Sequence, residues 1–579
     1  SYDGFLTRVN HKINSVRGIN VWPDNPMGHG AEGAKYRFQW NFPIFFSRHN
    51  PKRLYAASNQ LHVTEDEGQT WKIVSPDLTR NEKEKLVSSG GPITKDNTSV
   101  EYYATIFAVN ESPVKEGLIW AGSDDGRIHL TQDGGQNWTD VTSPLMPKYL
   151  MINSVEPSRH DPAVCYIAGT MYKSGDYMPY LYKTNDYGKT WKKIVNGIPD
   201  EYFTRVVRED ETIRGLLYAG TEKGMFISYD DGESWSSFQL NLPIVPITDL
   251  ALKNNNLIAA TQGRSLWIID DLTHLHQAKV KKSSAEPYLF KPMDSYRIGG
   301  GQRKGSKTEG TNHPGGVMTH FYLPSYDEKK DTVALVYLTV NGDTIRTYST
   351  HAKEDRDKIK VKKGGNIFTW RMDYPAAKRF DGMILWWGSL NGAIAKTGEY
   401  KVALNINGKG QSQNFKIIPN PVSEGTAADI AKQFEFIKSV NDKVSEAHQA
   451  ITDIRSMKAQ VKSYTDKITD KDIKDYAAKM DSISSDVEKN LYQTKNKSGQ
   501  DPLNFPIRLT NKLAHLNSLM GMGVNDFPPT ASMYEVRDEL TSLIDIELKK
   551  WYDVKGSMLA ELNKMIKAKA LDVIILKKE

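Results

Sequence analysis

Between residues 53 and 271 the chain repeats one cadence: a short apolar run, a turn, a second apolar run, and usually a polar turn closed by tryptophan. Leu118-Ile-Trp-Ala-Gly-Ser-Asp-Asp-Gly-Arg-Ile-His-Leu130 has this form, as do Leu216-Leu-Tyr-Ala-Gly-Thr-Glu-Lys-Gly-Met-Phe-Ile227 and Arg53-Leu-Tyr-Ala-Ala-Ser-Asn-Gln-Leu-His-Val63. Such runs between turn residues predict pairs of strands. The polar turn recurs four times with one spacing: Thr64-x-Asp66-x-Gly68-x-Thr70-Trp71, Thr131-x-Asp133-x-Gly135-x-Asn137-Trp138, Thr184-x-Asp186-x-Gly188-x-Thr190-Trp191 and Ser228-x-Asp230-x-Gly232-x-Ser234-Trp235. Here Asp accepts from nearby backbone N–H groups, Gly takes a positive φ, and Trp buries a large face between sheets. Successive aspartates lie 67, 53 and 44 residues apart. A four-stranded propeller blade takes about 40–50 residues, so the repeat predicts a β-propeller whose first interval carries a surplus loop. The run Asn256–Asp271 keeps the strand rhythm without the box, and Tyr2–Asn10 with Asn20–Pro23 reads as the last two strands of a blade. That makes about five and a half blades over residues 1–275.

Beyond a linker from Thr273 to about Pro287 the period changes. After a Gly-rich loop over 298–316, Val333–Val340 and Tyr400–Ile406 alternate with period 2 and run into Asn341-Gly342 and Asn407-Gly408. Both dipeptides favour two-residue hairpin turns. Residues 285–420 therefore predict a small β-sandwich, immunoglobulin-like or fibronectin-like, and closer to the latter without cysteine pairs. From Ser423 onward Ile430, Phe434, Ile437, Val444, Ala447, Ile451, Ile454 and Val461 keep near-heptad spacing, predicting a long amphipathic helix. A second helix is marked by Ile473, Met480, Ile483 and Val487, and a short third by Asn511–Met520. A fourth runs to about Ala570, opened by the capping box Ser532-x-x-Glu535. Residues 421–579 thus form an antiparallel helical domain, with its apolar stripe as core.

The four boxes are the Asp-box, or BNR, signature. It resembles the repeats of sialidases, sortilin-type receptors and two-propeller xyloglucanases. In those families it staples the outer rim of the blades, away from the ligand channel. Asn20-Val-Trp-Pro-Asp-Asn-Pro-Met-Gly28, Tyr36-Arg-Phe-Gln-Trp-Asn-Phe-Pro43, Ser88–Asn97, Phe203–Asp210 and Ala260–Ser265 strengthen a further likeness. With the sandwich and helical tail, the whole chain resembles the C-terminal part of large bacterial exported Asp-box proteins, described as sortilin-like or glycosyl-hydrolase-like. The resemblance implies export to the periplasm, outer membrane or exterior, and further blades upstream of residue 1. It brings no catalytic residues with it.

Composition narrows the function classes. Net charge is +6 from 76 basic and 70 acidic residues, without a basic stripe for nucleic acid. The single cysteine, Cys165, sits in an apolar run and excludes an intrachain disulfide. No run is long enough to span a bilayer as a helix, and no signal peptide is visible. The histidines lack metal-ligand spacing, and phosphate-loop and nucleophile-elbow motifs are missing, so no metal or cofactor is expected.

The surplus loop is where chemistry is sought. It holds Lys95, Asp96, Asn97, Glu101, Tyr102 and Tyr103. A glycosidase needs two carboxylates about 5–10 Å apart. Asp96 and Glu101 are the candidate pair, or either with Glu209, Asp210 or Asp270. If inert, Asp96 and Asn97 form a turn. Arg37, Arg205, Arg208 and Arg264 adjoin strands, where they would clamp a carboxylate or sulfate, although the sialidase Arg-Ile-Pro motif is missing. Alternatively each pairs with a neighbouring carboxylate, as Arg208 with Asp210, and stitches blades together. The leading expectation is an exported, non-catalytic propeller that binds a protein, peptide or glycan within an envelope assembly. The alternative is a glycoside hydrolase.

Overall fold

The computed structural model describes residues 4–278, 285–298, 310–522 and 525–569. The chain divides into two compact units, Ser1–Val280 and Lys281–Glu579. Most of the Gly-rich run, residues 299–309, lies outside the described residues.

The first unit is a procession of small antiparallel meanders. It opens with the hairpin β1 (Thr7–Asn10) and β2 (Ser15–Gly18). The first sheet is β3 (Ile44–Phe46), β4 (Leu54–Ala57), β5 (Leu61–Thr64) and β6 (Lys72–Ile73). The second is β7 (Ile106–Glu111), β8 (Ile119–Ser123), β9 (Ile128–Thr131) and β10 (Thr139–Asp140). The third is β11 (Met151–Pro157), β12 (Cys165–Met171), β13 (Asp176–Thr184) and β14 (Lys192–Lys193). The fourth is β15 (Thr204–Glu209), β16 (Leu217–Thr221), β17 (Gly224–Ser228) and β18 (Ser236–Ser237). The fifth has three strands, β19 (Ile247–Lys253), β20 (Asn256–Thr261) and β21 (Leu266–Ile269).

Each apolar layer of this unit lies between consecutive sheets. Trp120 and Ile128 of the second sheet share a core with Ile167 and Trp191 of the third. Tyr166 and Leu181 of the third share another with Leu217 and Trp235 of the fourth. This is propeller-like stacking. It explains why the second strands read as continuous apolar runs: β8 and β16 are buried along their whole length, with a sheet on either side.

The four Trp turns join third to fourth strands, and their geometry repeats closely. The Thr or Ser hydroxyl donates to the Asp carboxylate at 2.8 Å in all four. The same carboxylate accepts the backbone N–H four residues on at 2.9 Å. Each indole Nε1–H then donates to a carbonyl of the preceding sheet or hairpin: Trp71 to Ile19, Trp138 to Val74, Trp191 to Val141 and Trp235 to Ile194. A Cβ on Gly68, Gly135, Gly188 or Gly232 would run into those same four residues. The box is therefore a turn and an inter-sheet staple at once.

A second staple escaped the sequence reading. Ser47-Arg-His49-Asn-Pro51 and Ser158-Arg-His160-Asp-Pro162 are near copies at the ends of first strands. Ser47 Oγ and Ser158 Oγ each donate at 2.5 Å to the buried Glu111 and Glu209 of the next sheet. His49 and His160 ring nitrogens meet the carbonyls of Ser112 and Asp210 at 2.8 and 3.0 Å. After the fifth sheet the expected linker begins instead with a short helix, α1 (Thr273–Ala278). The Asp271 carboxylate accepts the Thr273 N–H at 2.9 Å and so starts a helical turn.

In the second unit β22 (Tyr288–Leu289), β24 (Val317–Leu323) and β27 (Gly364–Trp370) form one sheet. The other runs β23 (Ser295–Tyr296), β29 (Lys409–Ile418), β28 (Gly398–Ile406), β25 (Val333–Thr339) and β26 (Thr344–Ser349), with β23 parallel to β29. One core joins them, centred on Tyr337 stacked against Trp370 at 4.5 Å. The two Asn-Gly dipeptides behave differently. Asn407 and Gly408 both take positive φ, and Ile406 pairs with Lys409, a two-residue turn as expected. At Asn341-Gly342 only Gly342 has positive φ, and Thr339 N–H bonds Asp343 O across three residues. A register shift beside it, after Tyr337, accommodates the extra residue.

The helices are α2 (Ala427–Thr465), α3 (Lys471–Leu491), α4 (Leu509–Met520), α5 (Ala531–Asp553) and α6 (Leu559–Ala568). They enclose one core containing Val444, Ile451, Met480, Leu513, Ile544 and Trp551. A capping box of Thr426 and Asp429 opens α2. The box expected at Ser532 does not form. Thr530, just after Pro528-Pro529, accepts from Met533 N–H and caps α5. The fourth helix is also broken into α5 and α6 by a π-turn at Val554–Met558, which contains Gly556, a residue that weakens a regular helix interior. No helix among the described residues is long and apolar enough to cross a membrane.

Candidate functional site: the loop face of the first unit

In each meander the first strand begins, and the second turns into the third, at the same end of the sheet. The connectors between sheets arrive at that end too: residues 20–43, 74–105, 141–150, 194–203 and 238–246. The Trp turns occupy the opposite end. Every binding or catalytic candidate taken from the sequence lies on this loop face, apart from the box residues, Arg208 and three carboxylates considered below.

Most of these candidates hold the face together. Arg37 is buried; its Nη2 reaches Asp77 at 2.7 Å and Thr79 at 3.1 Å, and its Nε reaches Ala104 O at 2.9 Å. Asn97 is buried and donates to Gly28 O and Ser88 Oγ, both at 3.2 Å. Tyr102 donates its hydroxyl to His29 O at 3.0 Å. Glu101 accepts from Trp40 Nε1 at 3.2 Å, on an exposed rim. Lys95 and Asp96 are exposed; Asp96 N–H bonds Ser89 O, and Lys95 pairs with Gly90 in an isolated bridge. Arg205 pairs with Glu222 at 2.6 Å. Arg264 is exposed and donates to Gly263 O.

The other carboxylates are committed elsewhere. Glu209 is fully buried and accepts from Ser158 Oγ and Arg159 N–H. Asp210 accepts from Tyr218 and pairs with His276 at 2.9 Å. Arg208 passes over Asp210 and reaches Asp249 on β19 at 2.7 Å, with Glu156 on β11 at 3.7 Å. It stitches three sheets together through partners that its own strand could not supply. Asp270 lies just past β21.

Three features of this face were not found from the sequence. The first is the doublet Asp124-Asp125, read there as a plain turn. Asp125 is fully buried and accepts from Ser123 Oγ at 2.5 Å and from Arg80 N–H at 2.8 Å. Asp124 is half-buried and accepts from Thr105 N–H and Oγ1, both at 2.9 Å. Burial, with the like charge of Asp125, pushes the Asp124 carboxyl up to about 7 against those hydrogen bonds. Burial and the same two aspartates also raise the neighbouring Tyr103 hydroxyl.

A pH effect follows. An unfolded aspartate loses its proton near pH ~3.9, whereas folded Asp124 keeps it to about 7. The folded chain therefore holds the extra proton in this window, and stability falls as pH rises through it. Asp124→Asn keeps the acceptor and removes the charge. Its melting temperature should match the parent near pH 4.5 and exceed it by several degrees at pH 8, for a difference of about 3 kcal/mol. A constant offset across pH would contradict this.

The second feature gathers around Tyr149. Lys85 Nζ lies 3.7 Å from its ring centroid, Lys148 Nζ 4.7 Å and the Arg80 guanidinium 5.1 Å. Its hydroxyl meets Glu82 at 3.1 Å, and Glu82 pairs with Lys85 at 2.6 Å. The third is an aromatic slab: Tyr172 stacks on Phe203 at 5.2 Å, exposed Tyr177 lies 6.1 Å from Phe203, and Arg205 sits 5.1 Å over the Phe203 ring. Each cluster draws on separate stretches of chain, so no local spacing announces it.

Chemically the face offers the Asp124 carboxyl, pushed up to about 7 by burial, and several cations seated on aromatic rings. Among the described residues no three His, Cys, Asp or Glu side chains group as a metal site. No protein-family model matches the chain, and no curated protein matches it in sequence. Among solved structures it is similar to the GH74 xyloglucanase from Xanthomonas campestris, at 14% identity and TM-score 0.33, over 53% of this chain and 45% of that one. It is similar to YCF48 from Cyanidioschyzon merolae at 16% identity and TM-score 0.23, over 29% of this chain and 53% of that one. YCF48 bound to D1 peptide is similar at 15% identity and TM-score 0.28, over 44% and 69%. The chain spans about half the length of the first two.

Proposed function

We propose that the chain is a non-catalytic binding protein of the Asp-box propeller type. It has five and a half blades and carries a glycan, peptide or protein on its loop face. We place it outside the cytoplasm, as part of an envelope assembly to which the fibronectin-like sandwich and the helices attach. The observation that carries this reading is the division of labour on the loop face. Its buried candidates, Arg37, Asn97 and Tyr102, support the surface, while exposed Trp22, Trp40 and Tyr177 present aromatic rings to solvent. Aromatic residues of this kind are enriched at recognition surfaces.

One feature favours the second reading, a glycoside hydrolase: burial pushes the Asp124 carboxyl up to about 7, toward the range a general acid needs. Its neighbour Asp125 is buried and engaged by Ser123 and Arg80, so it is a poor nucleophile or base. A glycan-array screen paired with an assay for released sugar separates the readings. Retention without product is expected. Product formation abolished by Asp96→Asn, Glu101→Gln or Asp124→Asn would replace binding with catalysis.

A further inference from the structure

The loop face repeats one device at successive sheet junctions: a cation seated on an aromatic ring. Before the first sheet, Lys35 Nζ lies 3.3 Å from the centroid of Trp22, whose ring is also edge-on to Tyr36. Between the second and third sheets, Lys85, Lys148 and Arg80 surround Tyr149. Between the third and fourth, Arg205 covers Phe203 and Tyr172 at 5.1 and 5.7 Å. Lys223 lies 5.1 Å over Tyr202 on the connector into the fourth. All of these residues belong to inter-sheet connectors, to second-to-third-strand turns or to the strand beginnings beside them.

The charge at the central cluster is unbalanced. Lys85 and Lys148 share the single carboxylate Glu82, at 2.6 and 3.8 Å. Arg80 spends its Nε and Nη2 on the carbonyls of Asp125 and Gly126 and its charge faces the buried Asp125 carboxylate, so three cations meet two carboxylates. Lys148 is well exposed, and Lys35 is exposed. Flat rings alternating with cations suit a polymer that alternates flat C–H faces with anionic groups. Exposed Trp22 and Tyr177 offer such surfaces, and the cations supply charge-assisted hydrogen bonds.

We propose that the loop face of the first unit binds an acidic polysaccharide, its carboxylates or sulfates held by Lys35, Lys85 and Lys148 and its sugar rings laid against the aromatic side chains beside them. This rests on the binding reading above and adds the class of ligand.

Affinity electrophoresis of the full chain through gels carrying polygalacturonate, dextran or poly-L-glutamate tests it. Polygalacturonate should retard the protein, less so as salt rises, because exposed charges are screened. Dextran should not retard it, and poly-L-glutamate should do so at least fivefold more weakly. Lys85→Gln with Lys148→Gln should weaken polygalacturonate retention about tenfold, and Lys35→Gln, in a separate cluster, severalfold. Lys189→Gln, exposed in a Trp turn at the opposite end, should change nothing. Equal retention by poly-L-glutamate or dextran, or retention indifferent to the loop-face lysines, overturns the proposal. Retention of a neutral glycan or peptide on this face would leave the binding reading standing while removing the acidic polysaccharide. Dextran sulfate, which carries sulfate and no carboxylate, run alongside, tells sulfate from carboxylate.

Discussion

Gly135→Ala should destabilise the first unit by about 3 kcal/mol or more, whereas Gly134→Ala, one residue away, should cost about 1 kcal/mol. Both glycines have positive φ, +72° at Gly134 and +99° at Gly135, so both substitutions carry backbone strain. They differ in what a Cβ would meet. At Gly134 there is open space. At Gly135 the methyl would fall on the Val74 carbonyl oxygen, which accepts the Trp138 indole N–H at 2.8 Å. The substitution thus strains the turn, pushes two sheets apart and removes the hydrogen bond that joins them. Thermal unfolding should drop by roughly 5–10 °C for Gly135→Ala and by a few degrees for Gly134→Ala. Equal shifts would show that the box is only a turn, without the stapling role.

Arg297→Ala should be the most damaging single change in the second unit, at about 3–5 kcal/mol. Arg297 is buried and pairs with buried Asp526 on the approach to α5. Its Nε donates to Ala395 O at 2.9 Å and its Nη2 to Gln433 on α2 at 3.1 Å. Gln433 in turn donates to the carbonyls of Asn525 and Phe527. One side chain thus ties the end of β23 to two helical segments, and removing it strands a carboxylate in the core. The double variant Arg297→Met with Asp526→Leu should recover much of the loss, because the cost lies in the unpaired charge. A mild effect of Arg297→Ala in urea unfolding, or no recovery in the double variant, would contradict this account.

The strands of the first unit were legible because the inner sheets are buried on both faces, so middle strands such as β8 and β16 spell continuous apolar runs. The box was legible because four copies preserve the residues that make its bonds. Its partner was not: nothing near Trp138 points to Val74, which lies 64 residues earlier. The Ser47 and Ser158 staples were readable in principle, since their five-residue motifs nearly match, but they carry no apolar rhythm. Turn detail depended on backbone geometry that composition does not fix, as the two Asn-Gly dipeptides show. On the loop face, sequence proximity did not separate the roles of the candidate residues. Arg37 and Asn97 support it from below, while Tyr149 and its cations come from segments about sixty residues apart. Asp124 looked like any turn aspartate because its raised pKa comes from burial and from Asp125, and burial is a tertiary property.

The central claim is that the loop face holds an acidic polysaccharide without cleaving it. Hydrogen–deuterium exchange of the full chain with and without polygalacturonate tests it most directly, with the polymer's length measured before and after. The account predicts protection confined to residues 22–36, 80–86, 148–150, 172–178 and 203–205, unchanged exchange at the Trp turns 64–71 and 131–138, and a polymer of unaltered length. Protection at the Trp turns instead, no protection at the loop face, or a shortened polymer would contradict it.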